Sequence, residues 1–168
     1  MGLYFLADGA LAGSLQPLDA AALEAGAEPP SRYVELTGTV RTWERIGVTE
    51  HTNGSSIEKY YLPVTSAGAS GGAGARVYVE AYASQLTRYG DDLRSGRVRG
   101  LLSPSGLPGV AQTALAARGV TLPARYWVLD YRRSPDDRIN MGGAFIAMGL
   151  VVSALSAVAW WLLGRRPR

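Results

Sequence analysis

The chain has 168 residues and no cysteine, with 17 Lys and Arg against 14 Asp and Glu. That length suits one ordinary domain with an appendage, and the missing thiols exclude disulfides, thiolate metal sites and a cysteine nucleophile. The surplus charge of +3 sits in the final residues, Arg165, Arg166 and Arg168, so the remainder is neutral and lacks the electrostatic footprint of a nucleic-acid binder.

Residues 1–31 read as an approach segment. The first fifteen are apolar but broken by Asp8, too short to span a bilayer, and without the basic start of a signal peptide. They read as a strand or short helix on a surface, or as the remnant of a hydrophobic helix lying upstream. Residues 17–26 predict a short helix, with Pro17 in its first turn and Gly26 at its end. Glu28-Pro29-Pro30-Ser31 follows as a stiff linker.

Residues 32–133 carry the signature of a β domain. In 32–40 the apolar positions Val34, Leu36 and Val40 alternate with Glu35, Thr37 and Thr39, and Gly38 interrupts the inner row where a strand would bulge or bend. Residues 42–51 and 57–65 flank Asn53-Gly54, a strong hairpin signal, and Pro63 predicts that the second arm lies at an edge or ends there. The Gly, Ala and Ser run at 66–75 is a flexible connector; it lacks the Gly-Lys-Ser/Thr of a phosphate-cradling loop. Residues 76–83 predict a strand with Val77 and Val79 inside, 84–93 a short helix carrying Leu86, Tyr89 and Leu93, and 97–102 a strand around Gly100. Pro108 and Gly119 bracket a further short helix at 108–118. Residues 125–132 are the sixth and most aromatic strand. Hairpin and loop connections favour an antiparallel sheet curled into a small, OB-like barrel with two or three short helices.

Residues 141–164 contain no charge across 24 positions, which at helical rise cover about 36 Å, more than the roughly 30 Å hydrocarbon core of a bilayer. They predict one transmembrane helix, with Trp160 and Trp161 at the interface and Arg165, Arg166 and Arg168 as a basic tail at 165–168. The lipid bilayer is thus the first expected partner. Positive residues tie across the two flanks. The uninterrupted Arg cluster beside the tryptophans favours a cytoplasmic tail and a periplasmic domain in a bacterial inner membrane, whereas the lack of an export signal favours a tail anchor with the domain in the cytoplasm; the first is the expectation.

Few residues carry chemistry. His51 is the only histidine, with Glu50 alone beside it; it serves as a metal ligand only if other donors converge, or as one axial ligand of a haem. The one Gly-x-Ser-x-Gly match, Gly68-Ala-Ser-Gly-Gly72, falls in the flexible glycine connector with a strand rather than a helix expected after it, and so does not read as a nucleophile elbow. The acid pairs Asp91-Asp92 and Asp136-Asp137 read as helix-start caps. Large rings on both faces of 125–132, at Tyr126, Trp127 and Tyr131, imply that its outer face is also covered, by a helix, the membrane surface or a partner protein; they are the expected partner surface. Gly149, Ser153 and Ala157 recur every fourth position, the small-residue spacing that lets another helix approach closely.

Three runs, Val34-Glu-Leu-Thr-Gly-Thr-Val40, Tyr61-Leu-Pro-Val-Thr65 leading to Arg76-Val-Tyr-Val-Glu80, and Gly96-Arg-Val-Arg-Gly-Leu-Leu102, resemble the strands of the Surf family of cytochrome oxidase assembly factors. The resemblance covers residues 32–164. It implies a small β domain outside the cytoplasm followed by a C-terminal span, and a role in assembling a haem-containing membrane complex by transiently binding cofactor or apoprotein; His51 is the residue available as haem ligand in that case. The chain departs from the family at Ala81-Tyr82-Ala83, where an asparagine-to-arginine-glycine signature is expected. The residues themselves lead to a non-catalytic accessory subunit without a cofactor, held among other integral membrane subunits of a larger complex, respiratory or photosynthetic by class.

Overall fold

The computed structural model describes residues 12–52, 55–69 and 74–164. The apolar start, the Asn53-Gly54 turn, the middle of the glycine connector and the basic tail lie outside the described residues. Two compact units divide the chain: Gly13–Arg133, and a second that contains the long C-terminal helix.

The first unit is built on a mixed sheet of eight strands. These are β1 (Gln16–Asp19), β2 (Tyr33–Thr37), β3 (Thr39–Val40), β4 (Ile46–Thr52), β5 (Ser55–Thr65), β6 (Val77–Tyr82), β7 (Arg97–Pro104) and β8 (Trp127–Tyr131). Helices α1 (Ala20–Glu24), α2 (Ala83–Arg94) and α3 (Gly109–Ala117) accompany them. The order is β1-β2-β7-β8-β6-β5-β3, with β4 also on β5. The sheet is mixed rather than purely antiparallel because β1 runs parallel to β2, and β6 parallel to β8.

The predicted helix at 17–26 is divided. Gln16–Asp19 instead joins the sheet beside β2, Gln16 opposite Val34, and Pro17 is tolerated because β1 is an edge. The helix begins only after Asp19, whose carboxylate accepts the Ala21 N–H at 2.8 Å. Leu18 and Leu23 thereby enter the core, so the segment expected to precede the β domain belongs to it. Pro63 does not mark an edge, since β5 has neighbours on both sides. It lies where β5 exchanges β4 for β3: pairing with β4 stops at Tyr61 and with β3 starts at Val64. The Pro63 carbonyl accepts the Arg41 N–H at 2.9 Å in that gap, so the missing proline donor faces a break in the ladder.

The two sides of the sheet bury separate apolar clusters. One gathers the alternating row Val34, Leu36 and Val40 with Leu62, Val64, Val79, Val98 and Leu129, against Leu93, Leu86 and Tyr89 of α2. The other sets Ile46, Val48, Tyr61, Tyr78 and Val128 against Ala111 and Leu115 of α3. Strands β5, β6 and β8 supply residues to both, which is why they are apolar at consecutive positions.

Gly38 separates β2, which pairs with β7, from β3, which pairs with β5. A Cβ there would stand 2.8 Å from both the Ala20 Cβ and the Thr65 carbonyl oxygen, so only glycine lets the chain turn at this point. The Gly38 N–H donates to the Gly96 carbonyl at 2.9 Å, tying the bend to the end of α2.

Candidate functional site

The second unit's described element is α4 (Pro135–Gly164), 30 residues without interruption. Its start is a capping box. Asp137 Oδ2 accepts from the Ser134 N–H and hydroxyl at 2.8 Å, and the Asp137 N–H donates back to Ser134 Oγ at 3.3 Å. Asp136 and Asp137 also complement the positive end of the helix dipole. Beyond them the side chains are apolar and face outward: Met148, Leu150, Val151, Val152 and Leu155 are each more than half exposed. The stretch Pro135–Ala157 is long and apolar enough to cross a membrane, with 6% of its apolar window buried.

Gly149, Ser153 and Ala157 are exposed along this helix. The Ser153 hydroxyl donates to the Gly149 carbonyl at 2.8 Å, and Ser156 does the same to Val152, so both hydroxyls are satisfied within the helix and need no water. Trp160 is exposed. The Trp161 side chain and Arg165, Arg166 and Arg168 lie outside what the structure describes.

Other expectations are corrected. Tyr126 and Tyr131 are 8% and 3% exposed and are therefore no partner surface. Tyr126 packs edge-on to Tyr78 in the cluster beneath α3, Tyr131 edge-on to Tyr89 of α2, and half-buried Trp127 packs on the same cluster as Tyr131. The domain's own helices cover both faces of β8. Asp91 and Asp92 follow the break in α2 at Tyr89 (φ −128°, ψ 23°), so they stand in the opening turn of its short second part, and arginines pair with them: Arg94 at 2.8 Å and Arg132 at 3.3 Å. His51 is exposed in β4 opposite Ser56. Among the described residues no group of three His, Asp or Glu side chains forms a metal-sized cluster.

Two polar arrangements emerge only in three dimensions. In the first, the Lys59 ammonium lies 3.0 Å from Glu50 and 3.2 Å from Glu80, joining β4, β5 and β6. Burial alone would depress Lys59, but the two carboxylates outweigh it and hold its pKa above the usual lysine value. Burial, reinforced by Glu80, likewise raises the neighbouring Tyr61 hydroxyl. Tyr78, whose hydroxyl has no hydrogen-bond partner among the described residues, is pushed up by burial to about 12. This arrangement staples the sheet and presents no free nucleophile.

The second is a groove of about 480 Å³ between β2, β7, the end of α2 and the end of β8. Arg97 and Arg99 lie two apart on the outer face of β7, opposite Thr37 and Glu35. Arg99 donates to Glu35 at 2.9 Å, and that hydrogen bond, aided by the fields of Arg99 and Arg97, holds the Glu35 carboxyl below its usual range. Arg132 closes the groove from β8, its guanidinium 3.3 Å from Asp92 and 3.9 Å from the Tyr89 ring centre. Its backbone stands in the left-handed region, φ 60°, with its N–H donating to the Arg99 carbonyl at 2.8 Å. Burial raises the pKa of Tyr131, which lines the floor, so the phenol keeps its proton. In sequence these arginines read as the solvated outer row of a strand; what singles them out is pairing register, which sequence alone does not give.

No protein-family model matches the chain, and no curated protein matches it.

Proposed function

We propose that this chain is a membrane-anchored accessory or scaffolding subunit of a larger membrane complex, without catalysis or a cofactor of its own, in a bacterial inner membrane. The observation that carries the reading is α4: 30 unbroken residues, nearly all of the apolar stretch exposed, with its hydroxyls satisfied internally. Such a helix in water would leave a large apolar surface uncovered, whereas a bilayer removes that cost. Gly149, Ser153 and Ala157 then offer a close-approach face to a neighbouring helix. The arginine-rich tail, read as cytoplasmic, supports a periplasmic domain.

In this reading the sheet closes as a small OB-like barrel. Support comes from the bend at Gly38, which joins a strand on β7 to a strand on β5, and from the parallel pairing of β6 with β8. OB barrels bind oligonucleotides and oligosaccharides on one outer face and its loops. Here α3, between β7 and β8, packs on the outer cluster formed by β4, β5, β6 and β8. That cover argues for a structural module rather than a nucleic-acid reader. The layout of β domain then span also resembles the Surf family.

The test replaces Gly149 and Ser153 with Leu in the full chain and follows copurification in gentle detergent. Loss of neighbouring subunits with the chain still in the membrane supports the reading; unchanged copurification removes the helix contact. A Soret band from the purified chain, lost in His51→Ala, would replace this reading by haem handling.

A further inference from the structure

We infer that the groove walled by Arg97, Arg99 and Arg132 binds a phosphate-bearing anion, supplied by an anionic lipid headgroup. The lipid source rests on the membrane reading of α4; the anion chemistry does not. Three guanidiniums converge there against two carboxylates, Glu35 and Asp92, so one positive charge is left over. Among the described residues no carboxylate stands within ion-pair distance of Arg97. The two existing pairs are solvent-exposed, Arg99 at 55% and Arg132 at 46%, so water screens them and a better acceptor displaces a carboxylate readily.

The guanidiniums are also held in place. Arg97 and Arg99 are fixed two apart on a paired strand, and Arg132 is held by its backbone bond to Arg99 and by the Tyr89 ring. A left-handed, non-glycine residue kept by its surroundings is a common mark of a ligand site. Planar guanidinium forks match phosphate oxygens two at a time, and the protonated Tyr131 phenol adds a donor at the floor. Arg132 stands nine residues before Met141, where the uncharged run begins, so at most about 20 Å of chain, three residues extended and six helical, separates them. A headgroup phosphate is therefore the anion present at highest local concentration.

The experiment places the full chain in nanodiscs of phosphatidylcholine, of phosphatidylcholine with phosphatidylglycerol, and of phosphatidylcholine with added inorganic phosphate. Phenylglyoxal, which modifies free guanidiniums, is followed at each arginine by mass spectrometry. In the phosphatidylglycerol discs, labelling of Arg97 and Arg132 is expected to slow about tenfold, the protection given by a ligand at ten times its Kd, while exposed Arg125 is unaffected. Glu35→Gln, which releases Arg99, should deepen the protection, the reverse of what mere damage to the fold would do. Arg97→Gln should abolish it at Arg132. Equal labelling in all three discs overturns the proposal and leaves the anchor standing. Protection by inorganic phosphate alone keeps the anion site and overturns the lipid source. Failure to enter any disc, with phosphate still protecting, removes the anchor and keeps the site.

Discussion

Replacing Val151 with Arg tests the premise that α4 lives in lipid. Val151 lies near the middle of the uncharged run and is 58% exposed, so the change disturbs little packing. The run at 141–164 contains nine Leu, Ile, Val and Phe residues. At roughly 0.3–0.6 kcal/mol each they favour insertion by about 3–5 kcal/mol, leaving aside the smaller contributions of Ala, Gly, Ser and Trp. An arginine at the centre costs about 2.5–3.5 kcal/mol on the same scale and removes the valine's share, bringing the balance near zero. The ratio of inserted to free chain should fall about a hundredfold, since about 1.4 kcal/mol is a factor of ten. The assay is alkaline carbonate extraction of membranes, scoring pellet against supernatant. Wild type and Val151→Leu should remain in the pellet, V151R should partition, and V151R with Leu155→Arg should be released. Wild type washing into the supernatant, or the double variant staying wholly in the pellet, would refute the reasoning.

Within the sheet, Gly38→Ala should cost about 1–3 kcal/mol by urea denaturation in mild detergent, because its Cβ meets two backbone-anchored atoms at 2.8 Å; a loss below about 0.5 kcal/mol would show that the bend can relax. Leu115→Ala should cost about 2–5 kcal/mol by the same measurement, as it opens a hole where α3 covers Tyr78 and Tyr61. Stability should fall as pH rises above about 10. Lys59 is raised in the folded state, so its contribution is complete below its unfolded value and is lost as pH passes the folded one. Tyr61 and Tyr78 are raised as well, and ionise more readily once unfolded. A spectrophotometric titration should therefore show part of the tyrosines ionising only together with loss of the near-ultraviolet dichroism. His51→Ala should leave the unfolding midpoint within experimental error, since that side chain is exposed on the hairpin.

Local pattern was readable wherever a residue's neighbours in sequence are also its neighbours in space. The hairpin arms, the row Val34, Leu36 and Val40, the acidic start of the C-terminal helix and the helix ended by Gly119 are such cases. Reading failed where a distant strand intervened. Residues 17–19 read as the first turn of a helix because nothing nearby in sequence reveals that β2 will offer them a parallel ladder. Tyr126 and Tyr131 read as a contact surface in sequence because α2 and α3, which cover them, lie elsewhere in the chain.

The sequence by itself determined that residues 141–164 form a long uncharged run and that residues 1–140 are neutral and free of cysteine, since hydropathy and charge are sums over residues. Only the tertiary structure decided that β8 is wrapped on both faces, that β6 and β8 run parallel, and that Arg97, Arg99 and Arg132 share one groove. Strand register and helix placement depend on contacts between residues far apart in the chain, and these are settled by packing the whole core at once.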